Sequence, residues 1–287
     1  GGTVAFAMEC FENKIINLND TDGIELKFGS PEALLKLIEM IAERRGIGDL
    51  LAEGSGRAAE RLGSDAKKFA IQVKNQEFPM HMPSIKSSLA LAYACVPFGA
   101  DHNSSAQDPA ILAEPISASI KGLGLQETAN LEDLNFQKVK LWGYSHRVCS
   151  LLDTLDLCQF CFGYYPPVYQ TNHIVELVNA VTGWDTNLWE LMLIGERRTN
   201  LMRLFNYREG FSEKDDNLPE RVFEPLIGGP TAGKKINQEE FLKARKDYYQ
   251  LSGWNQETGI PTNVKLMELG LEKFLGDFQE SENANIS

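Results

Sequence analysis

The sequence predicts a mainly α, multihelical protein of two helical subdomains, with a small β-hairpin near the N-terminus. Three observations lead there. Apolar residues recur at helical spacing between capping residues along most of the chain. No strand–helix–strand alternation and no internal repeat is present. Pro79 and Pro83, in "EFPMHMPS", force extended backbone between two helix-rich stretches. The boundary therefore falls at these prolines, with 1–78 as one unit and 79–287 as the other, joined as separate helical layers.

Taken in order, "KIINLNDTDGIELKFG" places two apolar runs around the turn-forming Asp20-Thr21-Asp22-Gly23, which predicts the hairpin. "SPEALLKLIEMIAERRG" predicts a helix: Ser30 caps, Pro31 takes the first helical position, Leu34, Ile38 and Ile41 line one face, and Gly46 closes it. A broken helical stretch follows from Asp49 to Leu62, punctuated by Gly54 and Gly63. "LALAYACVPFGA", at 89–100, reads as a buried segment. "NHIVELVNAVTG" puts Ile174, Leu177, Val178 and Val181 on one helical face and stops at Gly183. Asn187 with Glu190 forms a capping box for a long helix, interrupted or tolerated at Gly195. Asn237 with Glu240 repeats that pattern, and a short last helix follows Pro261 and Thr262. The tail from about 277 has nothing to bury and is expected to be disordered.

With 287 residues, 43% hydrophobic and 24% charged, the chain has the composition of an ordinary globular protein, able to bury a substantial interior. No apolar run is long enough to span a bilayer. A net charge of −12 argues against nucleic acid, whose phosphates need clustered Lys and Arg. Small molecules and proteins are the expected partners, with a homo-oligomer as a possible assembly. Five cysteines, an odd number without framework spacing, point to a reducing compartment, and the cytoplasm fits best. The chain opens on "GGTVAFAMEC", with neither an initiator methionine nor a signal peptide, so it is expected to be part of something longer.

The chemistry-bearing segments are few. "GGPTAGKK", at 228–235, lacks the spacing and preceding strand of a phosphate loop and reads as a surface loop. His146, Cys149, Cys158 and Cys161 form H-x2-C-x8-C-x2-C, a set that could close a tetrahedral zinc site. One of these thiolates could equally serve an iron–sulfur cluster completed from elsewhere, and buried cysteines are often inert packing residues. In "PFGADHNSS", His102 stands beside Asp101 in a Gly-containing loop, where either an acid–base histidine or a plain loop histidine is found. Arg197, Arg198 and Arg203 lie on an otherwise apolar helix. They could grip an anion, but buried ion pairs are the favoured expectation.

Several segments together resemble the aldehyde ferredoxin oxidoreductase family of tungsten or molybdenum bis-pterin enzymes. They are "EFPMHMPSIKSSLALAYACVPFGADH", "DTLDLCQF", "TGWDTNLWELMLIGERRTNLMRLFNYREGFSEKDDNLPERVFEPL" and "YYQLSGWNQETGIPTNVKLMELGL". They occur in family order across nearly the whole chain, and what they resemble is the C-terminal helical part of the catalytic chain, its domains 2 and 3. The family's D-x-x-G-L-C motif matches Asp153 to Cys158. By that resemblance Cys158 is a ligand of a [4Fe–4S] cluster, and Asp153 and Leu157 contact a pterin. Asp156 stands where the motif has glycine and adds a carboxylate. Cys161 has no role in the pattern and reads as a core residue or a secondary thiol; it is expected to point into the core, as is Cys149, with Cys158 at the surface.

His102 falls where the family places an active-site histidine, and His81 is retained as a second candidate. Met82 and Ser84 depart from the family's H-D-P-R segment. The resemblance implies a chain that oxidises aldehydes to carboxylic acids at a tungsten or molybdenum bis-pterin. Electrons would pass through the [4Fe–4S] cluster to ferredoxin or a similar carrier. It also implies that the remaining cluster cysteines and pterin motifs lie in an N-terminal cofactor-binding domain upstream, so that this portion alone is inactive. The alternatives are a non-catalytic helical scaffold or subunit of the same fold, or a zinc-stapled module using His146, Cys149, Cys158 and Cys161.

Overall fold

The computed structural model describes residues 1–108, 121–125, 127, 129–163 and 169–274; the tail expected from about 277 lies outside them. Helices dominate, in agreement with the mainly α expectation. The first group comprises α1 (Gly2–Glu12), α2 (Pro31–Glu43), α3 (Ile47–Leu51), α4 (Ser55–Leu62) and α5 (Ser64–Lys67). These enclose one apolar core built from Phe6, Leu26, Leu37, Leu51, Ala58 and Phe69, among others. Ser30 caps α2 as its sequence requires, its hydroxyl accepting the Ala33 N–H at 3.2 Å, with Pro31 at the first position.

Three expectations for this group fail. Residues 14–29 form successive turns without strand pairing. The only strand pair among the described residues is β1 (Gln72–Val73) with β2 (Gln76–Glu77), antiparallel. Its two central residues, Lys74 and Asn75, sit at φ 52° and 62°, the two positive values of a type I′ turn. The buried stripe of α2 is Ala33, Leu37 and Met40, whereas Leu34 and Ile38 are exposed. That helix is apolar around more than half its circumference, so helical periodicity fits two adjacent stripes equally well. Its end also comes earlier than Gly46, with Arg44 in the left-handed conformation.

The second group surrounds α6 (Ser88–Cys95), every residue of which is buried, as expected for 89–95. Around it lie α7 (Phe136–Thr154), α8 (Gln159–Phe162), α9 (Thr171–Thr182), α10 (Leu188–Arg208), α11 (Gln238–Leu251) and α12 (Asn263–Glu268). Trp142, Phe241, Tyr248, Tyr249 and Trp254 close over α6. Asn187 and Glu190 make the reciprocal capping box at the start of α10, Gly183 terminates α9 at φ 75°, and Thr262 caps α12. Asn237 caps α11 alone, accepting from the Glu239 and Glu240 amides.

On α9 the buried residues are Thr171 and Ile174, with Val175 and Val178 packed beside Leu151, Leu152 and Leu191. Leu177 and Val181, expected on that face, point to solvent. Gly195 does not break α10. A Cβ there would stand 2.2 Å from the Arg147 carbonyl, so glycine is what lets α10 lie directly on α7. The Ser150 hydroxyl then reaches the Gly195 carbonyl at 2.8 Å.

Side chains join the two groups. Arg221 grips Glu9 bidentately at 2.7 and 2.8 Å. Glu77 accepts the Ser55 N–H at 2.7 Å and the Thr3 hydroxyl at 3.0 Å, tying the hairpin to α4 and α1. Burial alone would raise the Glu77 carboxyl pKa; these donors outweigh it and hold the pKa below its ordinary value.

Candidate functional site

The loop after α6 carries His102. Gly99 begins it at φ 91°, and a Cβ there would meet the Val73 carbonyl at 2.1 Å, so only glycine lets the loop press against the hairpin. Asp101 folds the loop on itself by accepting the Asn103 N–H at 2.8 Å and the Ser104 hydroxyl at 2.5 Å. The loop's far end is clamped inside the protein. Asp108, fully buried, accepts the Ser88 N–H at 2.9 Å and pairs with Lys138 of α7, also fully buried. The Lys138 ammonium donates further to the Ser87 hydroxyl at 3.1 Å and the Asn130 carbonyl at 2.8 Å.

His102 is half-buried, and its ring lies 4.7 Å from that of His81 with a 36° tilt. His81 is held by its own carbonyl, which accepts from the buried Tyr93 hydroxyl at 2.8 Å. The Lys86 ammonium stands 3.3 Å from His81 Nδ1 and donates to Gln107 Oε1 at 2.8 Å. Gln107 in turn reaches the His102 carbonyl at 3.4 Å. Burial, then the charges of Lys86 and His102, push the His81 pKa down and favour its neutral imidazole. Lys86 and Gln107 carry no sequence signal. They become visible only when the loop folds back over the start of α6.

The second segment is the end of α7. The helix stops at Thr154, and Asp156 takes φ 54° while the Leu157 N–H returns to the Leu152 carbonyl at 2.9 Å. This is a Schellman closure, with Leu157 packed against Leu151 and Leu152. Position 156 thus requires a left-handed residue, normally glycine, and Asp is among the few others that tolerate it. The carboxylate that Asp156 adds is exposed. Asp153 is half-buried, 3.2 Å from Arg198 and 3.5 Å from the Gln159 amide. Burial raises its carboxyl pKa, with Asp101 adding to the rise and Arg198 and Gln159 opposing it.

Cys158 is exposed at the start of α8, its carbonyl accepting the Cys161 and Phe162 amides at 3.0 Å each. Amide donors from Phe160 and Cys161, helped by the Cys161 thiol and opposed by burial, draw the Cys158 thiol pKa below its ordinary value. Cys161 is partly exposed beside it, not in the core. That expectation fails because residues 159–162 form a single turn that buries none of its side chains.

The two segments meet. His102, Asn103, Ser105 and Ala106 from the loop and Cys149, Gln159 and Phe160 from α7 and α8 line one small cavity. Arg198 bridges them from α10, paired with Asp153 and lying 5.7 Å over the Phe98 ring. The three arginines of α10 mostly follow the ion-pair expectation: Arg203 pairs with the fully buried Asp216 and Arg198 with Asp153, while Arg197 donates to the Leu269 carbonyl at 2.7 Å.

The zinc set is not assembled. His146 and Cys149 are buried within α7, Cys158 is exposed, and among the described residues no group of three or more His, Cys, Asp or Glu could hold a metal ion. His146 instead stacks on Trp142 at 5.3 Å with Nδ1 2.9 Å from the Ser104 carbonyl, and burial lowers its pKa to about 4. Also among the described residues, no helix is long and apolar enough to cross a membrane.

Residues 1–271 match the family described as aldehyde ferredoxin oxidoreductase, domains 2 & 3. The chain belongs to the aldehyde ferredoxin oxidoreductase family. It is 36% identical over 281 residues to a tungsten-containing aldehyde ferredoxin oxidoreductase of Pyrococcus abyssi, covering 96% of this chain and 43% of that protein. A 32% identical relative is the WOR-like subunit of an aliphatic sulfonate oxidoreductase of Pyrococcus furiosus, with 94% of this chain and 39% of that protein covered. The chain thus spans less than half the length of these curated relatives. The fold is shared with a solved active-site complex, BamBC of benzoyl coenzyme A reductase. The TM-score is 0.69 at 22% identity, over 98% of this chain and 44% of that one.

Proposed function

We propose that this chain is the C-terminal helical part of an oxidoreductase that converts aldehydes to carboxylic acids and passes the electrons to ferredoxin or a similar carrier. A tungsten or molybdenum bis-pterin and a [4Fe–4S] cluster, completed by an N-terminal domain, would supply the redox chemistry. The observation that carries the proposal is the meeting of the His102 loop and the Cys158 turn around one cavity. Family membership gives the oxidoreductase class; the juxtaposition of these two segments supports the roles.

The residues present suit those groups. Cys158 offers an exposed thiol stabilised as thiolate by neighbouring amides, the donor an iron–sulfur cluster takes. It supplies one ligand, leaving the rest to the upstream domain. Asp153, with a raised carboxyl pKa, and the Leu157 backbone beside it would contact a pterin edge. His102 would give or take a proton at the substrate carbonyl oxygen, with His81, Lys86 and Gln107 fixing its ring and backbone. The tungsten-containing relatives support the aldehyde substrate class, and a reducing compartment suits five free thiols.

The test is His102→Ala in the full-length protein. Aldehyde-dependent reduction of ferredoxin is expected to fall about 100-fold or more, with tungsten or molybdenum and iron contents unchanged. Full turnover in that variant would return His102 to a plain loop residue and favour the non-catalytic scaffold.

A further inference from the structure

The family pattern leaves Cys161 without a task, yet the structure places its thiol against that of Cys158 at the surface. The two cysteines occupy one turn, Cys158 in extended conformation at φ −67° and ψ 123° and Cys161 three residues on, joined by the 3.0 Å bond from the Cys161 N–H to the Cys158 carbonyl. Residues three apart on such a turn hold their side chains on one side at about 5–6 Å between Cβ atoms. A disulfide holds its Cβ atoms about 3.8 Å apart, so closing the bond takes a rotamer change together with a small tightening of this turn, which buries none of its side chains. No other pair competes. Cys10, Cys95 and Cys149 are buried, and burial pushes the Cys10 and Cys95 thiols up to about 12 and that of Cys149 higher still.

We propose that Cys158 and Cys161 form a reversible dithiol–disulfide pair whenever Cys158 is not bound to metal. The step needs a low-molecular-weight disulfide as oxidant. The Cys158 thiolate attacks one sulfur of that disulfide, whose S–S bond breaks and releases one thiol. Cys161 then attacks the Cys158 sulfur of the mixed disulfide, releasing the second thiol. Two protein thiols lose two electrons and two protons, and the carrier disulfide gains them as two thiols. A reducing dithiol reverses the sequence. The further consequence, that oxidation and cluster binding exclude each other, rests on the assignment of Cys158 as a cluster ligand in the proposed function.

The experiment uses the full-length protein, prepared anaerobically, before and after iron removal by a chelator, and treated with glutathione disulfide. Cleavage before aspartates separates Asp156–Trp184, which contains Cys158 and Cys161 but not Cys149. The iron-free protein is expected to yield this peptide with an internal disulfide, two hydrogens lighter and restored by dithiothreitol. Cys161→Ser should instead yield the peptide carrying one glutathione on Cys158. Free thiols, or two glutathiones on the wild-type peptide, would overturn the pair. Before iron removal the peptide should stay reduced. A disulfide forming there without loss of iron would leave the pair standing and refute the cluster assignment, so the two failures are told apart.

Discussion

The two halves of the molecule stabilise themselves by different means. In the first, residues 1–70, the buried side chains are almost all apolar, with Thr21 and Ser55 the buried polar residues among them. In the second, Asp108, Lys138, His146, Glu196, Arg203 and Asp216 are all buried, and most are paired. Asp216 alone meets Arg203 at 2.5 Å, Lys74 at 2.8 Å and the Tyr249 hydroxyl at 2.5 Å. Burying such charges costs solvation, and breaking one partner leaves the other stranded. Yet one of these pairs fixes the loop that carries His102, and Arg198 fixes the turn that carries Cys158. The first half rests on packed area; the second adds ionic groups that hold its loops in place.

That contrast can be broken most forcefully at Lys138. Lys138→Ala leaves Asp108 buried without a counter-charge and should cost about 3–5 kcal/mol in urea denaturation. Hydrogen-exchange protection should be lost in α6 and α7 before α2. Equal loss in both halves would show that they are not distinct. In the first half, Leu37→Ala should cost about 3 kcal/mol through the cavity it leaves, with little dependence on salt or pH.

The second half should also be the acid-sensitive one. Burial holds the His146 pKa at about 4 against 6.5 for the free side chain. Between those values the unfolded chain binds a proton that the folded chain refuses, so stability rises with pH across that window. Lowering the pH from 6.5 through 4 should remove about 3 kcal/mol from this group alone. His146→Gln should flatten that slope; an unchanged slope would place the acid sensitivity elsewhere. The smallest effect sharpens the contrast from the other side. Ser30→Ala removes one helix cap and should cost about 1 kcal/mol by thermal or urea unfolding, confined to the first half.

Much of this was legible in the sequence where the determinant is local. Ser30, Asn187 and Thr262 cap as their side-chain chemistry requires, and Gly183 ends its helix. Where the determinant is a distant partner, sequence could not decide. The α2 stripe is chosen by what packs on it. Lys74 and Asn75 carry no strong hairpin signal, yet Lys74 is drawn into the turn's left-handed conformation beside a buried pairing with Asp216. Gly195 could read as an interruption or as a tolerated residue, because the helix it touches lies 48 residues earlier, at Arg147. In the candidate site, the motif pointed to Cys158 and Asp153, and the loop to His102. That the two segments share a cavity, and that Lys86, Gln107, Gln159 and Cys161 attend them, follows only from the folded chain.

We propose that the turn after α7 delivers Cys158 as a cluster ligand, with its neighbour Cys161 not required. It is tested by iron analysis and low-temperature electron paramagnetic resonance of the full-length protein carrying Cys158→Ser or Cys161→Ser, purified anaerobically. Cys158→Ser is expected to lose the [4Fe–4S] signal and its iron, while Cys161→Ser keeps both. An intact cluster in the Cys158→Ser protein would contradict it.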